Sequence, residues 1–384
     1  MVPSSLIPVE TLPINANGKV DRVLLKTVQA SKPIAVAGAP EHLIARISRI
    51  WAEVLHEPSV GRYDNFFELG GESLTAVLLF IRLEQEFGNV PPLAALLENP
   101  TVAGLAKLLA PRCVSKKTAI VRLQPNGDRN PLFCLPGADG QLLIFRHLAE
   151  AIGNDQPIYG LQPRGLDGSE PDRTVEEIAA RNIRELKRVQ PCGPYRVAGF
   201  STGGVIAFEM ARQLYKMGDR VSPLLLIDSF AGFPFAPSLA SRIIVHIKLL
   251  ASLPWRDFPL HVFERVKVAS VKLRSVLRRE APEQRWTKGL DLMPDAAGLA
   301  LANFQALKAY VLRPYSGNAV LLRASIQPGR LNVGEDMGWQ GLCESGLRVV
   351  PVRGTHADCL GPRHITSLAR TVRSLLDDGA PDTR

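Results

Sequence analysis

The sequence has no cysteine pair at metal or redox spacing, no long apolar run and no internal repeat. Its five cysteines, Cys113, Cys134, Cys192, Cys343 and Cys359, are odd in number and widely separated, with no CxxC among them. That pattern argues against a disulfide framework and a zinc site, and fits thiols kept reduced in the cytoplasm, so no metal is expected. The N-terminus, Met1-Val2-Pro3-Ser4-Ser5, lacks a basic stretch followed by an apolar core. Charge interrupts every apolar run well before the ~18 residues that a membrane helix needs. Neither a secretory signal nor a membrane span is expected. The absence of repeats and low-complexity tracts excludes a solenoid.

What is present is an ordinary globular composition. With 384 residues, 46% hydrophobic and 22% charged, the chain can bury a sizeable core and has room for two or more compact units. The net charge of +9 raises the question of nucleic acid. The excess is scattered, however, and of its two clusters, Arg112–Lys117 and Lys267–Arg285, the second has few aromatics to stack on bases. Nucleic-acid binding is not expected.

The stretch Tyr195–Asp228 organises the chain. Tyr195–Phe200 reads as a buried strand, Ser201-Thr202-Gly203-Gly204 as a sharp turn, and Val205–Met217 as a helix with Val205, Phe208, Met210, Ala211 and Leu214 near helical spacing. Gly199-Phe200-Ser201-Thr202-Gly203 is therefore a GxSxG turn between strand and helix. A serine there sits on a strained backbone that bulkier neighbours would obstruct, its hydroxyl exposed at the sheet end. The Thr202 N–H points where an oxyanion would form. Alone, the pentapeptide is an ordinary Gly/Ser turn often enough; its strand and helix make it a nucleophile elbow.

Candidate strands Leu132–Leu135, Ile158–Leu161, Tyr195–Phe200, Leu224–Ile227, Ala319–Arg323 and Leu347–Val352 alternate with helical stretches that include Leu142–Ile152 and Val175–Val189. This alternation predicts a mostly parallel sheet with helices on both faces, its site at the carboxyl strand ends. Asp228 falls directly after one apolar strand and His356 just beyond the last, in the order Ser201, Asp228, His356 expected of an α/β hydrolase. His356 would take the serine proton and return it to the leaving group, and Asp228 would hold the imidazole in one tautomer. Glu335 or Asp336, in the loop after the following strand, is the alternative acid. The Gly-rich turn Leu135-Pro136-Gly137-Ala138-Asp139-Gly140 would add the Ala138 N–H to that of Thr202. An insertion at about 230–298, rich in Phe, Pro and amphipathic helix, would form a lid over Ser201.

Before this α/β unit the chain reads as smaller pieces: an arm over residues 1–30, a Pro/Ala/Gly-rich linker over 31–40, a helical unit over 41–110, and a second linker over 111–130 with a possible edge strand at Thr118–Leu123. The larger domain takes 131–377. In the helical unit, Leu43, Ile44, Ile47, Ile50, Trp51 and Val54 mark one helix face. Asp64-Asn65-Phe66-Phe67-Glu68-Leu69-Gly70-Gly71-Glu72-Ser73-Leu74 runs into a second helix, expected to bury Leu74, Val77, Leu78 and Ile81. Taken alone, Ser73 is a helix N-cap. A helix N-terminus is equally a place for a phosphate.

This motif resembles the carrier domain of nonribosomal peptide synthetases, a small all-α four-helix unit whose corresponding serine, here Ser73, bears covalent 4′-phosphopantetheine; Glu72 stands where that family commonly has Asp or His. Leu12-Pro13-Ile14-Asn15-Ala16-Asn17-Gly18-Lys19-Val20-Asp21-Arg22 resembles the last motif of their adenylation domains, whose lysine would be Lys19. The rest of that domain is missing, so residues 1–30 read as a remnant. With the hydrolase unit resembling a type I thioesterase, the resemblance covers nearly the whole chain. It implies a cytoplasmic chain-terminating unit in which an acyl or peptidyl thioester on the Ser73 arm passes to Ser201 and leaves by hydrolysis or cyclisation. Implied partners are upstream synthetase modules or a condensation domain, a phosphopantetheinyl transferase using coenzyme A, and the peptidyl or acyl substrate. The competing readings are a stand-alone serine esterase, an editing thioesterase, and a carrier-only binding module with an inactive hydrolase fold.

Overall fold

The structure is a computed structural model that describes residues 40–88, 90–110, 119–166, 168–232, 294–327 and 334–378. Lys19, the Arg112–Lys117 cluster and most of the 230–298 insertion lie outside the described residues.

The first helices form a small unit. Helix α1 (Glu41–Leu55) buries Leu43, Ile44, Ile47, Ile50 and Trp51 of the expected stripe and leaves its last member, Val54, half-buried. Helix α2 (Ser73–Phe87) buries Ala76, Leu79, Phe80 and Leu83 instead of the predicted Leu74, Val77, Leu78 and Ile81. Leu74 and Leu78 are exposed. The sequence Leu74-Thr-Ala-Val-Leu-Leu-Phe-Ile81 carries two apolar stripes of the same period, and the core beneath Trp51 and Phe66 takes the one with Phe80. Trp51 meets Phe66 edge-on, ring centroids 5.2 Å apart. Helices α3 (Ala95–Glu98) and α4 (Val102–Leu109) close this unit with Leu96, Val102 and Leu105 buried.

Among the described residues seven strands make the larger sheet: β1 (Ile120–Gln124), β2 (Leu132–Leu135), β3 (Ile158–Leu161), β4 (Tyr195–Phe200), β5 (Val221–Ile227), β6 (Ala319–Ile326) and β7 (Leu347–Thr355). Their order is β1-β3-β2-β4-β5-β6-β7, with β1 antiparallel to β3 and the other pairs parallel. The edge strand expected at Thr118–Leu123 forms as β1 over Ile120–Gln124, with Thr118 outside the described residues. The central strands β2 and β4 are buried throughout, as expected of strands covered on both faces. At the opposite edge β7 carries Pro351 opposite Arg323, in a position where its missing N–H faces away from the partner.

Helices α6 (Val175–Val189) and α7 (Thr202–Lys216) pack on one face, together with α8 (Pro294–Ala309). Helices α5 (Arg146–Ala151) and α9 (Ile365–Asp378) cover the other. The predicted 142–152 helix opens as a 3-10 turn over Leu142–Phe145 before becoming α5. Buried Glu209 of α7 accepts from Arg212 Nη1 of the same helix at 2.5 Å and from Tyr310 Oη at 2.5 Å, so the phenol ties α7 to the end of α8. Burial and the nearby Glu209 carboxylate push the Tyr310 hydroxyl well above its ordinary pKa, keeping it a donor.

Candidate active site

Ser201 lies between β4 and α7 with φ 55° and ψ −122°, a conformation that side chains other than glycine rarely adopt. Its N–H donates to Ile227 O at 2.9 Å, which ties the turn to β5. The turn is this tight because its glycines permit it. A Cβ at Gly199 would fall 2.2 Å from Gly203 O, and one at Gly203 would fall 2.3 Å from Pro136 O. Helix α7 begins at Thr202, three residues before the predicted start, so the Thr202 N–H belongs to the first turn, where helical N–H groups have no partner within the helix.

Asp228 follows β5, fully buried, with φ 43°. Its Oδ2 lies 2.7 Å from His356 Nδ1. Its Oδ1 accepts from Ala324 N–H at 2.8 Å and from Gln327 Nε2 at 2.5 Å. His356 follows β7, and its ring stacks on Phe200, the neighbour of Ser201, with centroids 5.0 Å apart. The structure therefore brings the Ser201 turn, Asp228 and His356 together at the carboxyl ends of β4, β5 and β7. Glu335 and Asp336 stand apart: Glu335 is exposed and Asp336 Oδ2 accepts from Gln340 N–H at 2.9 Å.

The Gly137–Gly140 turn faces the serine, since a Cβ at Gly137 would sit 3.7 Å from Ser201 Cβ. Ala138 lies in this turn, and its carbonyl accepts from Asn303 Nδ2 of α8 at 2.8 Å. Burial raises the pKa of the neighbouring Asp139. Cys359 is buried with its Sγ 4.0 Å from His356 O. Burial, aided by the charges of Asp228 and Asp358, pushes its thiol up to about 12, so it is not a thiolate competing with the serine at neutral pH.

In the small unit, Glu72 and not Ser73 is the N-cap of α2. Thr75 Oγ1 accepts from Glu72 N–H at 2.7 Å and donates to Glu72 O at 2.9 Å. Ser73 is the first helical residue and is exposed, so its hydroxyl is spared capping and stands among the first-turn N–H groups. An exposed hydroxyl there fits a phosphodiester.

Residues 45–109 match the phosphopantetheine attachment site family and residues 130–240 the thioesterase domain family. The chain is 30% identical over 391 residues to a dimodular nonribosomal peptide synthase of Bacillus subtilis, covering 98% of this chain and 16% of that protein. It is 31% identical over 386 residues to malpibaldin synthetase of Mortierella alpina, covering 98% and 6%. The chain joins a phosphopantetheine-binding carrier domain to a thioesterase domain, and the relatives it matches along nearly its whole length are nonribosomal peptide synthetases. A solved four-domain nonribosomal peptide synthetase, in its holo form bound to AMP and glycine, shares the fold at a TM-score of 0.54 with 24% identity, over 98% of this chain and 29% of that one. The chain thus spans less than a third of the length of each of these relatives.

Two residues at the thioesterase site were not legible in the sequence. Asn303 is a buried amide on an otherwise apolar stretch of α8, and that isolation is the signal that could have found it. Gln327 follows β6 with nothing local to mark it, yet its amide also donates to Ala324 O at 3.0 Å and so fixes the acid's loop. Gln327→Ala removes one donor from a buried carboxylate, and kcat on a soluble thioester is expected to fall about tenfold. KM should hold; steady-state kinetics showing a raised KM with kcat intact would assign Gln327 to substrate contact instead.

Proposed function

We propose that this chain terminates peptide or acyl assembly: an acyl thioester presented by its carrier is transferred to Ser201 and released. When attached to Ser73, phosphopantetheine supplies the thiol that holds the acyl group as a thioester. His356, with Nδ1 engaged by Asp228, has Nε2 left to take the Ser201 proton as Oγ forms its bond to the thioester carbonyl carbon. The N–H groups of Thr202 and Ala138 receive the developing oxyanion. The C–S bond then breaks, the proton at Nε2 passes to the leaving sulfur, and the acyl group remains as an ester on Ser201. A second attack, by water or by a nucleophile within the acyl chain, uses His356 as base again and frees Ser201. The carrying observation is the 2.7 Å Asp228–His356 pair, spanning the ends of β5 and β7, beside a strained serine at the end of β4.

This reading requires a phosphopantetheinyl transferase with coenzyme A and an upstream condensation step in the same compartment, taken to be the cytoplasm. Among the described residues no helix is long and apolar enough to cross a membrane.

Intact mass spectrometry tests it. After transfer of an acyl-pantetheine group to the chain, Ser73→Ala should gain no mass. Wild type should gain the arm and lose the acyl group with time, and Ser201→Ala should keep it. A wild type that never gains the arm leaves an esterase with an unmodified helical unit; equal retention in both proteins leaves a carrier beside an inactive hydrolase.

A further inference from the structure

The carrier and the thioesterase meet along a seam whose position in both domains is specific. Leu143, in the 3-10 turn of the thioesterase, is buried within the carrier's apolar cluster, the one built around Trp51 and Phe66. One turn on, the Arg146 guanidinium carbon lies 4.4 Å from the centroid of the Phe67 ring, while Nη1 donates to Glu150 Oε1 at 2.8 Å. The guanidinium is therefore held from below by its own helix and offers its face to an aromatic ring of the other domain. The seam continues where Leu97 packs against the clusters of both domains, and Arg122 N–H of edge strand β1 donates to Glu98 Oε1 at 3.0 Å.

We propose that Leu143 and Arg146 form the seat on which this thioesterase receives its carrier, gripping the Phe67 loop that leads into Ser73. The proposal rests on the reading that Ser73 delivers to Ser201. Its ground is where the two halves lie. On the carrier side, Phe67 meets Phe66 edge-on at 5.4 Å, and Phe66 lies against Gly71, where a Cβ would fall 2.3 Å from its ring. The contact thus sits beside the glycines that open onto Ser73. On the thioesterase side, the 3-10 turn starts directly after the Gly137–Gly140 turn that faces Ser201. The seat therefore links the approach to the modified serine with the exit of the oxyanion loop. An apolar plug and a cation over an aromatic ring recognise a carrier bearing an aromatic at the position of Phe67, and this chain's own carrier bears one.

The test uses the full chain, with Phe67→Ala on the carrier and Arg146→Glu on the thioesterase. For each loaded protein, the rate of acyl loss from Ser73 is divided by kcat/KM for the same acyl group on N-acetylcysteamine, which needs no carrier. Each variant should lower this ratio about tenfold, and the double variant little further, because both remove one contact. Phe67→Leu, which keeps the bulk and removes the aromatic face, should give a smaller fall and guards against a misfolded carrier. A second readout needs no loading: amide hydrogen exchange across residues 142–146 should quicken in Phe67→Ala, a change made wholly in the other domain. A ratio that is unchanged or raised overturns the seat. If wild type hydrolyses the soluble thioester yet never unloads Ser73, the delivery reading itself fails, before any variant is made.

Discussion

Alanine at position 201 is expected to lower kcat on a soluble thioester by a factor on the order of 10⁶, the loss seen when a nucleophilic serine is removed from a site of this kind. Among the described residues no group near it offers a replacement: the Cys359 thiol is pushed up to about 12 and is buried. Glycine at the same position separates chemistry from architecture. Ser201 is held at φ 55°, ψ −122°, where a side chain costs about 1–3 kcal/mol that glycine does not incur. Ser201→Gly should therefore be as inactive as Ser201→Ala and yet more stable, with Tm raised by about 2–4 °C per kcal/mol recovered. Kinetics and thermal melts on both variants check this. Residual activity above about 1% of wild type would mean that another residue attacks the thioester.

Asparagine at position 228 should be the next most damaging change. The Asp228 carboxylate receives donors only, from Ala324 N–H, Gln327 Nε2 and His356 Nδ1, and is fully buried. An asparagine amide must turn its NH₂ toward one side. Facing His356, it forces the wrong tautomer, and kcat should fall by about 10⁴-fold. Facing Ala324 and Gln327, it opposes donor to donor in a site closed to water, at a cost of about 1–3 kcal/mol in stability. The two orientations exclude each other, so kinetics should show the first loss or melting the second. A drop of less than about tenfold with stability unchanged would hand the role of acid to another group, although Glu335 and Asp336 are engaged elsewhere or exposed.

The sheet and the three strand-end residues were legible because each rests on local signals: an apolar run, a following turn, and a polar residue where the strand stops. Gln327 and Asn303 were hidden because their roles exist only across the fold, against Asp228 and Ala138. Leu143 reads as core of its own domain and is core of the neighbouring one. The buried face of α2 differs from the expected one because two stripes share one period, and the cluster that holds Phe80 together with Trp51 and Phe66 decides between them. Ser73 was read as a possible cap because serine so often is one; the Thr75 hydroxyl bonds that close the turn around Glu72 depend on backbone geometry that residue type alone does not reveal.

Pro351 has a consequence for how the molecule behaves in company. Strand β7 ends the sheet, and a row of open backbone groups at such an end invites another chain to add itself as the next strand. Proline interrupts that row by removing an N–H at the middle of the strand. The last strand can thus hold His356 at its tip while its flank offers a broken template to any strand that would pair with it.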